Sequence, residues 1–322
     1  MLSICALDDS TIEAAGALVA HEHTWARRLH PGLPEIYTRA AVCTSALQQL
    51  RATGSTGAVA FDDGCALAVM TLVVRAGRVY GRHARLPAEG FAVAPTCEDP
   101  TTVLARLYAE LAPQVVAGGV RQFFVDHIAL PPLAEGLANL GFGRHHVYAV
   151  QPAAPRPSAT HVQVRIGGRD DLATIARLAF VEFRHRSTPP IYAPTVHLTL
   201  EEILEAHRTL QSHGATHFIA AIDGDDVGLL TLELTSPAPR LCAAGQPYIG
   251  PTATHPDARG KGVAGALVDA ALTWGHGHGY AWVAVDFEPA NPLSRPFWLG
   301  RGFAPLGYSA LRSIHASHQS PH

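Results

Sequence analysis

The sequence predicts two tandem domains of the α+β or mixed α/β sheet class, and three observations point there. A chain of 322 residues exceeds what one core usually organises, at roughly 100–200 residues per domain. The chain also repeats itself at an offset of half its length. Leu140-Gly141-Phe142 followed by Arg144–Val150 returns as Arg301-Gly302-Phe303 followed by Leu306–Leu311, and Ala60-Phe61-Asp62 returns as Ala221-Ile222-Asp223. Between the copies lies Gln151–Thr160, QPAAPRPSAT, whose prolines discourage helix and favour an extended linker. The expected division is 1–150, a linker at 151–160, a second domain at 161–315 and a flexible tail at 316–322.

Composition narrows the function classes. Hydrophobic residues make up 48% and charged ones 16%, which excludes a disordered chain. No run approaches the ~18 apolar residues of a membrane span. The start, MLSICALDDS, lacks a basic region followed by an apolar stretch, so no secretory signal is expected there. A net charge of −3 gives no electrostatic reason to expect nucleic acid or an anionic membrane as partner. Cys5, Cys43, Cys65, Cys97 and Cys242 are odd in number and form no CxxC pair, so a reduced, cytoplasmic setting is expected. The histidines, including His21, His23, His145, His146, His276, His278, His315, His318 and His322, show no metal-binding spacing; they read as surface residues, with no metal.

Each copy reads in the same order. In the second, a strand near Val162–Ile166 precedes a helix near Asp171–Phe183. Asp170-Asp171, like Asp8-Asp9 in the first copy, is placed to serve a helix N-terminus through its carboxylates. A helix near Leu200–Ser212 starts after Thr199, with Glu201 and Glu202 in its first turn. Strands near His217–Ile222 and Val227–Leu234 are joined by the hairpin turn Asp223–Asp226. A strand near Tyr248–Thr254 leads through His255–Lys261 into a helix near Val263–His276. The strand Ala281–Phe287, the helix Leu293–Gly300 and the strand Leu306–Ile314 complete the copy.

The chemistry concentrates in Tyr248–Ala266, YIGPTATHPDARGKGVAGA. A strand ends, a polar loop follows and glycines open an apolar helix. Free N–H groups at a helix N-terminus form an anion site, and glycine lets a phosphate approach them. Arg259 and Lys261, the chain's only lysine, add positive charge. Gly260, Gly262 and Gly265 spell GxGxxG, with Asp286 at the end of a later apolar strand, as in a dinucleotide fingerprint. His255–Arg259 intervene between strand and glycines, however, and too little chain follows for a dinucleotide fold.

The other pattern, Arg259-x-x-Gly262-x-Ala264, preceded by Thr254-His255-Pro256-Asp257 and followed by Asn291, Ser294 and Phe297-Trp298-Leu299-Gly300-Arg301-Gly302-Phe303, resembles the GNAT superfamily of acyl-CoA N-acyltransferases. The resemblance implies a domain with a central, mostly antiparallel twisted sheet flanked by helices. It further implies an acyl-CoA co-substrate, acetyl-CoA above all, and a small-molecule primary amine that attacks the thioester directly. The pyrophosphate would lie on Arg259, Gly260, Lys261, Gly262, Val263 and Ala264. A bulge in the fourth strand, expected at Gly250-Pro251, would set the backbone of Thr252, Ala253 and Thr254 against the thioester. Asn291 would hydrogen-bond the pantetheine and Ser294 would lie near the end of that arm. Trp298 stands where many members carry a tyrosine that protonates the leaving thiolate, and its ring N–H has no acidity of use. Candidates for acid-base chemistry are Tyr248, Glu233 and Asp286, with Glu288 nearby and His255 reading as a turn residue. The acceptor would be lined by Arg184–His197, and the chain would act as a monomer or homodimer. A non-catalytic module that senses CoA or another ligand is the alternative, suggested by Trp298 and the lack of an acid in Ala243–Gly250.

The first copy departs from this pattern. Its fourth-strand equivalent, Gly90–Ala94, runs into Pro95-Thr96-Cys97-Glu98-Asp99-Pro100 and a helix near Thr102–Val115. The turn has no glycine and two acids face the phosphate position. It reads as a degenerate copy that keeps the fold without binding acyl-CoA.

Overall fold

The computed structural model describes residues 2–157, 161–193 and 198–315. In chain order the first copy runs β1 (Ser3–Ala6), α1 (Ile12–Arg27), α2 (Ala40–Ala52), β2 (Thr56–Asp62), β3 (Cys65–Gly77), β4 (Gly81–Leu86), β5 (Phe91–Val93), α3 (Pro100–Ala117), β6 (Gln122–Ile128), α4 (Pro131–Asn139) and β7 (Gly143–Pro152). The second runs β8 (Gln163–Ile166), α5 (Leu172–Arg186), α6 (Leu200–Ser212), β9 (Thr216–Ile222), β10 (Asp225–Glu233), β11 (Tyr248–Thr254), α7 (Val263–Gly277), β12 (Trp282–Phe287), α8 (Ser294–Gly300) and β13 (Ala304–Ser313). None of these helices is long and apolar enough to cross a membrane.

The compact units are not two consecutive lengths of chain. The first comprises Met1–Val147, Ala238–Ala243 and Pro305–His322; the second comprises Tyr148–Pro237 and Ala244–Ala304. The last strand, β13, therefore belongs to the first unit, where it pairs antiparallel with β6 from Gly307↔Ile128 to Ser313↔Gln122. The tract read as linker is strand at its start, because β7 continues to Pro152; positions 158–160 of that tract, 194–197 of the expected acceptor segment and the tail 316–322, with His318 and His322, lie outside the described residues.

In the second unit the strand order is β12-β11-β10-β9-β8. Its ladders are antiparallel except β11–β12, which is parallel; a parallel pair needs a crossover, and α7 supplies it. The β9–β10 hairpin turns through Asp223 (φ 52°) and Gly224 (φ 91°), the left-handed pair that matches strand twist. Ile175, Leu178, Ile203, Ile219 and Leu229 pack α5 and α6 onto this sheet. Thr199 caps α6 by accepting from Glu202 N–H at 3.1 Å while Glu202 Oε2 accepts from Thr199 N–H at 2.8 Å, a reciprocal capping box.

The first unit repeats the scheme, in the order β1-β2-β3-β4-β6-β13 with β5 also on β3 and β4–β6 the parallel pair. Leu18, Val19, Leu47, Val59, Val69 and Ala92 form its core under α1 and α2. The registers coincide: Ala60 faces Ala68 in one hairpin and Ala220 faces Gly228 in the other.

Neither pair caps its α-helix through a side chain, although Asp171 serves the single helical turn Arg169–Asp171 that leads into α5. Asp8 Oδ1 accepts from the N–H and hydroxyl of Ser10 at 2.9 and 2.6 Å, closing a turn ahead of α1. Asp171 Oδ2 accepts from Gly168 N–H and from Arg165, both at 2.8 Å. Local partners reach these short side chains before the helix amides do.

Candidate active site

The glycine turn is built as an anion site. After β11, a single turn at Pro256–Ala258 buries Ala258 at 4% exposure and leads to Arg259. Gly262 is the N-cap of α7 at φ 80°, with no side-chain cap on the helix. That left-handed conformation costs a residue with a Cβ about 1–2 kcal/mol, and a cap without a side chain leaves the first amides open to a ligand. Val263, at 1% exposure, anchors the first turn in the core. Lys261 turns its carbonyl to His161 Nε2 at 2.9 Å. Arg301, paired with Asp269 of α7, lies 3.7 Å from where a Gly265 Cβ would be and adds a further cation beside the same helix turn.

The bulge lies where it was expected. Leu230 pairs with Thr252, but Leu232 pairs with Ile249, so β11 carries one extra residue across Gly250-Pro251. Beyond this point β11 leaves β12: the two strands pair only at Tyr248↔Ala284 and Ile249↔Val285. The backbone of Thr252, Ala253 and Thr254 therefore stays bonded to β10 on one side and is released from β12 on the other. A side chain on Gly250 would meet the Glu233 carboxylate, whose flexible end would have to turn aside.

The three candidate acid-base residues converge at the fork. Tyr248 Oη donates to Asp286 Oδ1 at 2.5 Å, and Glu233 faces Tyr248 across the β10–β11 ladder. Burial raises the Glu233 carboxyl above its ordinary value, and the nearby Asp286 raises it further against a hydrogen bond from Thr235. Asp286 thus holds the Tyr248 hydroxyl at the fork.

Two further groups, Glu182 and Arg186 of α5, complete the cluster. Arg186 grips Glu288 through Nε at 3.1 Å and Nη2 at 2.7 Å and approaches Glu182 at 3.6 Å. Burial pushes the Glu182 carboxyl up to about 7, Arg186 opposing and Glu288 and Asp286 adding. The four-residue spacing of Glu182 and Arg186 signals a helical ion pair, though nothing in the spacing says that it faces β11.

Ahead of α8, Asn291 is 8% exposed and its Oδ1 accepts from Leu293 and Ser294 N–H at 3.0 and 3.2 Å, setting the start of that helix. Ser294 Oγ is buried without a hydrogen-bond partner, an opening for a ligand group. Trp298 is 5% exposed, edge-on to Phe297 and Phe303 with centroids 5.0 and 5.1 Å away. His255 is a turn residue, its Nδ1 3.7 Å from Asp257.

In the first unit the helix after the fourth strand starts differently. Asp99 is the N-cap of α3 and accepts from Thr102 N–H at 3.0 Å, with Pro100 in the first turn. The chain's own carboxylate thus occupies the amide that a phosphate would take.

Residues 177–303 match the family model described as the acetyltransferase (GNAT) family. Among solved structures, a tandem GNAT protein from the clavulanic acid biosynthesis pathway is 15% identical with TM-score 0.54, covering 98% of this chain and 100% of that one. A GCN5-related N-acetyltransferase from Sphaerobacter thermophilus is 18% identical with TM-score 0.60, covering 98% and 96%. A GNAT-family acetyltransferase from Colwellia psychrerythraea is 11% identical with TM-score 0.51, covering 97% and 100%. At these identities the likeness is one of fold. No curated protein matches the sequence.

Proposed function

Because residues 177–303 match the acetyltransferase (GNAT) family model, we propose that the second unit transfers an acetyl group from acetyl-CoA to the primary amine of a small molecule. The observation that carries this reading is the pairing of an uncapped, glycine-started helix with a bulged strand that leaves its parallel neighbour after two residue pairs. The amides after Arg259 take the pyrophosphate, and the fork admits the pantetheine arm, with Ser294 Oγ and Asn291 beside it. Backbone N–H groups of β11 released from β12 steady the oxyanion that forms as the amine attacks. Holding amine and thioester together supplies much of the remaining acceleration. The first unit, with Asp99 over its helix, takes no part in binding the co-substrate.

Isothermal titration with acetyl-CoA tests this. Wild-type protein binds, and the double variant Arg259→Glu/Gly262→Asp loses affinity by at least about a hundredfold, roughly 3 kcal/mol. No binding by the wild type, or equal binding by the variant, overturns the reading. A second reading, a module that binds CoA without turnover, is favoured by the burial of Trp298 between Phe297 and Phe303 in place of a residue that could protonate the thiolate. Thiol release from acetyl-CoA in the presence of amines separates the two, since a sensor binds and releases none.

A further inference from the structure

The two copies correspond in helix position and strand register. Glu22 is the eleventh residue of α1 and Glu182 the eleventh of α5. Arg85 faces Phe124 in one parallel pair and Tyr248 faces Ala284 in the other, so Asp126 corresponds to Asp286. Met70 faces Phe91 and Leu230 faces Thr252, so the strand residues after the two breaks correspond as well.

In the first unit the place beside the helix glutamate is filled by a cation of the chain's own. Arg240 is 0% exposed. Its guanidinium donates to Glu22 Oε2 at 2.7 Å, to the carbonyl of Val19 on α1 at 3.0 Å, and to the carbonyls of Ala88 and Phe91 on the broken strand at 2.8 Å each. The other Glu22 oxygen accepts from Val93 N–H at 2.8 Å. One carboxylate and three carbonyls, shared between helix and broken strand, thus form a receptor for a planar cation. Asp126 does not compete for it, being paired with Arg85 at 2.7 Å.

The second unit presents the same parts, Glu182 on α5 and the bulged stretch of β11. The cation paired with Glu182 there is Arg186, at 3.6 Å. Arg186 is already committed to Glu288 by three contacts of 2.7 to 3.3 Å, which leaves Glu182 only a loose share of its charge. Glu182 is also the more accessible of the two glutamates: its side chain keeps 25% of its exposure, against 1% for Glu22.

We propose that the acceptor of the second unit arrives as a cationic amine and takes, beside Glu182, the place that the Arg240 guanidinium holds beside Glu22, with Glu182 as the catalytic residue that removes its proton. This rests on the acyltransferase reading given above. The ammonium gives one proton to the Glu182 carboxylate, which returns it to solvent. The freed lone pair attacks the thioester carbonyl carbon, forming the C–N bond. The C–S bond breaks, and the second proton leaves nitrogen to end on the CoA thiolate. The products are the amide, CoA and one proton. Arg186 and Glu288 act on Glu182 from behind and are positioning residues.

The test compares two acceptor probes at pH 7 with the full-length protein: 1,4-diaminobutane, which is cationic, and 4-methoxyaniline, which is a neutral amine at that pH. Wild type acetylates the diamine in preference. Glu182→Gln lowers kcat/KM for the diamine at least tenfold and that for the arylamine less than threefold, while acetyl-CoA affinity by titration stays within twofold. Glu182→Asp, which keeps a carboxylate, recovers part of the diamine activity and guards against a Gln variant that folds poorly. A parallel loss for both probes, or no loss for either, overturns the proposal, as does a wild type that binds acetyl-CoA and acetylates neither probe. A wild type that fails to bind acetyl-CoA instead overturns the acyltransferase reading itself.

Discussion

The helix after the fourth strand begins in two opposite ways within one chain. At α7 the cap is Gly262, left-handed and without a side chain, preceded by Arg259 and Lys261. At α3 the cap is Asp99, whose carboxylate satisfies Thr102 N–H. The fold asks only that the helix start here, and either solution meets that demand. The aspartate stabilises the helix from within. The glycine takes up the left-handed turn without strain and leaves those donors open to solvent or to a ligand. The same contrast recurs one layer deeper, where Glu22 is sealed by Arg240 and Glu182 is left half-paired.

The sharpest way to break this contrast is to unseal the first unit. Arg240→Ala leaves the Glu22 carboxylate buried among unpaired carbonyls, and stability by denaturant titration falls by roughly 3–5 kcal/mol. Arg186→Ala costs less, because Arg186 and Glu182 are themselves partly exposed although Glu288 is buried; equal losses would show that Glu22 and Glu182 are equally sealed.

Two groups, one in each unit, respond to pH with opposite signs. His127 is 3% exposed, and burial, only partly offset by its hydrogen bond to Ile128 O, holds its imidazole down at about 4 against an ordinary 6.5. Its contribution is present above pH 6.5 and is lost as pH falls toward 4, up to roughly 3 kcal/mol. Glu182, raised to about 7 from 4.5, runs the other way: its contribution is complete below pH 4.5 and is lost as pH rises through 7. In chemical denaturation across pH 4–8, His127→Asn flattens the acid limb and Glu182→Gln flattens the neutral one.

Smaller effects sharpen the comparison at the two caps. Gly262→Ala costs about 1–2 kcal/mol in stability, because the residue must keep positive φ, and it weakens acetyl-CoA binding as the turn relaxes. Asp99→Ala costs about 1 kcal/mol, the usual worth of such a cap. It creates no acetyl-CoA binding in a Gly262→Asp background, since the first unit lacks the arginine and glycines of the other loop.

What could be read from the sequence was whatever is encoded locally. The loop from Arg259 to Ala264, the bulge at Gly250-Pro251 and the Asp223–Gly224 turn each rest on neighbours whose backbone preferences suffice to place them. The capping roles given to Asp8 and Asp171 are met only ahead of α1 and α5, because Ser10, the Gly168 N–H and Arg165 hold these carboxylates. Glu182 was missed because its place opposite β11 follows from α5 packing on the sheet, and only its spacing to Arg186 is written in the chain. Arg240 was missed entirely: its partners lie at positions 19, 22, 88 and 91, a separation that no local pattern spans.

The final strand, β13, is the end of the second repeat, yet it completes the sheet of the first unit. A duplicated gene can ordinarily shed a copy that has lost its activity. Here, deleting the first repeat strands β13 without its partner β6, and deleting the second strips the first of a strand and of Arg240. With that exchange in place, loss of either repeat breaks the first unit, and the two are inherited together.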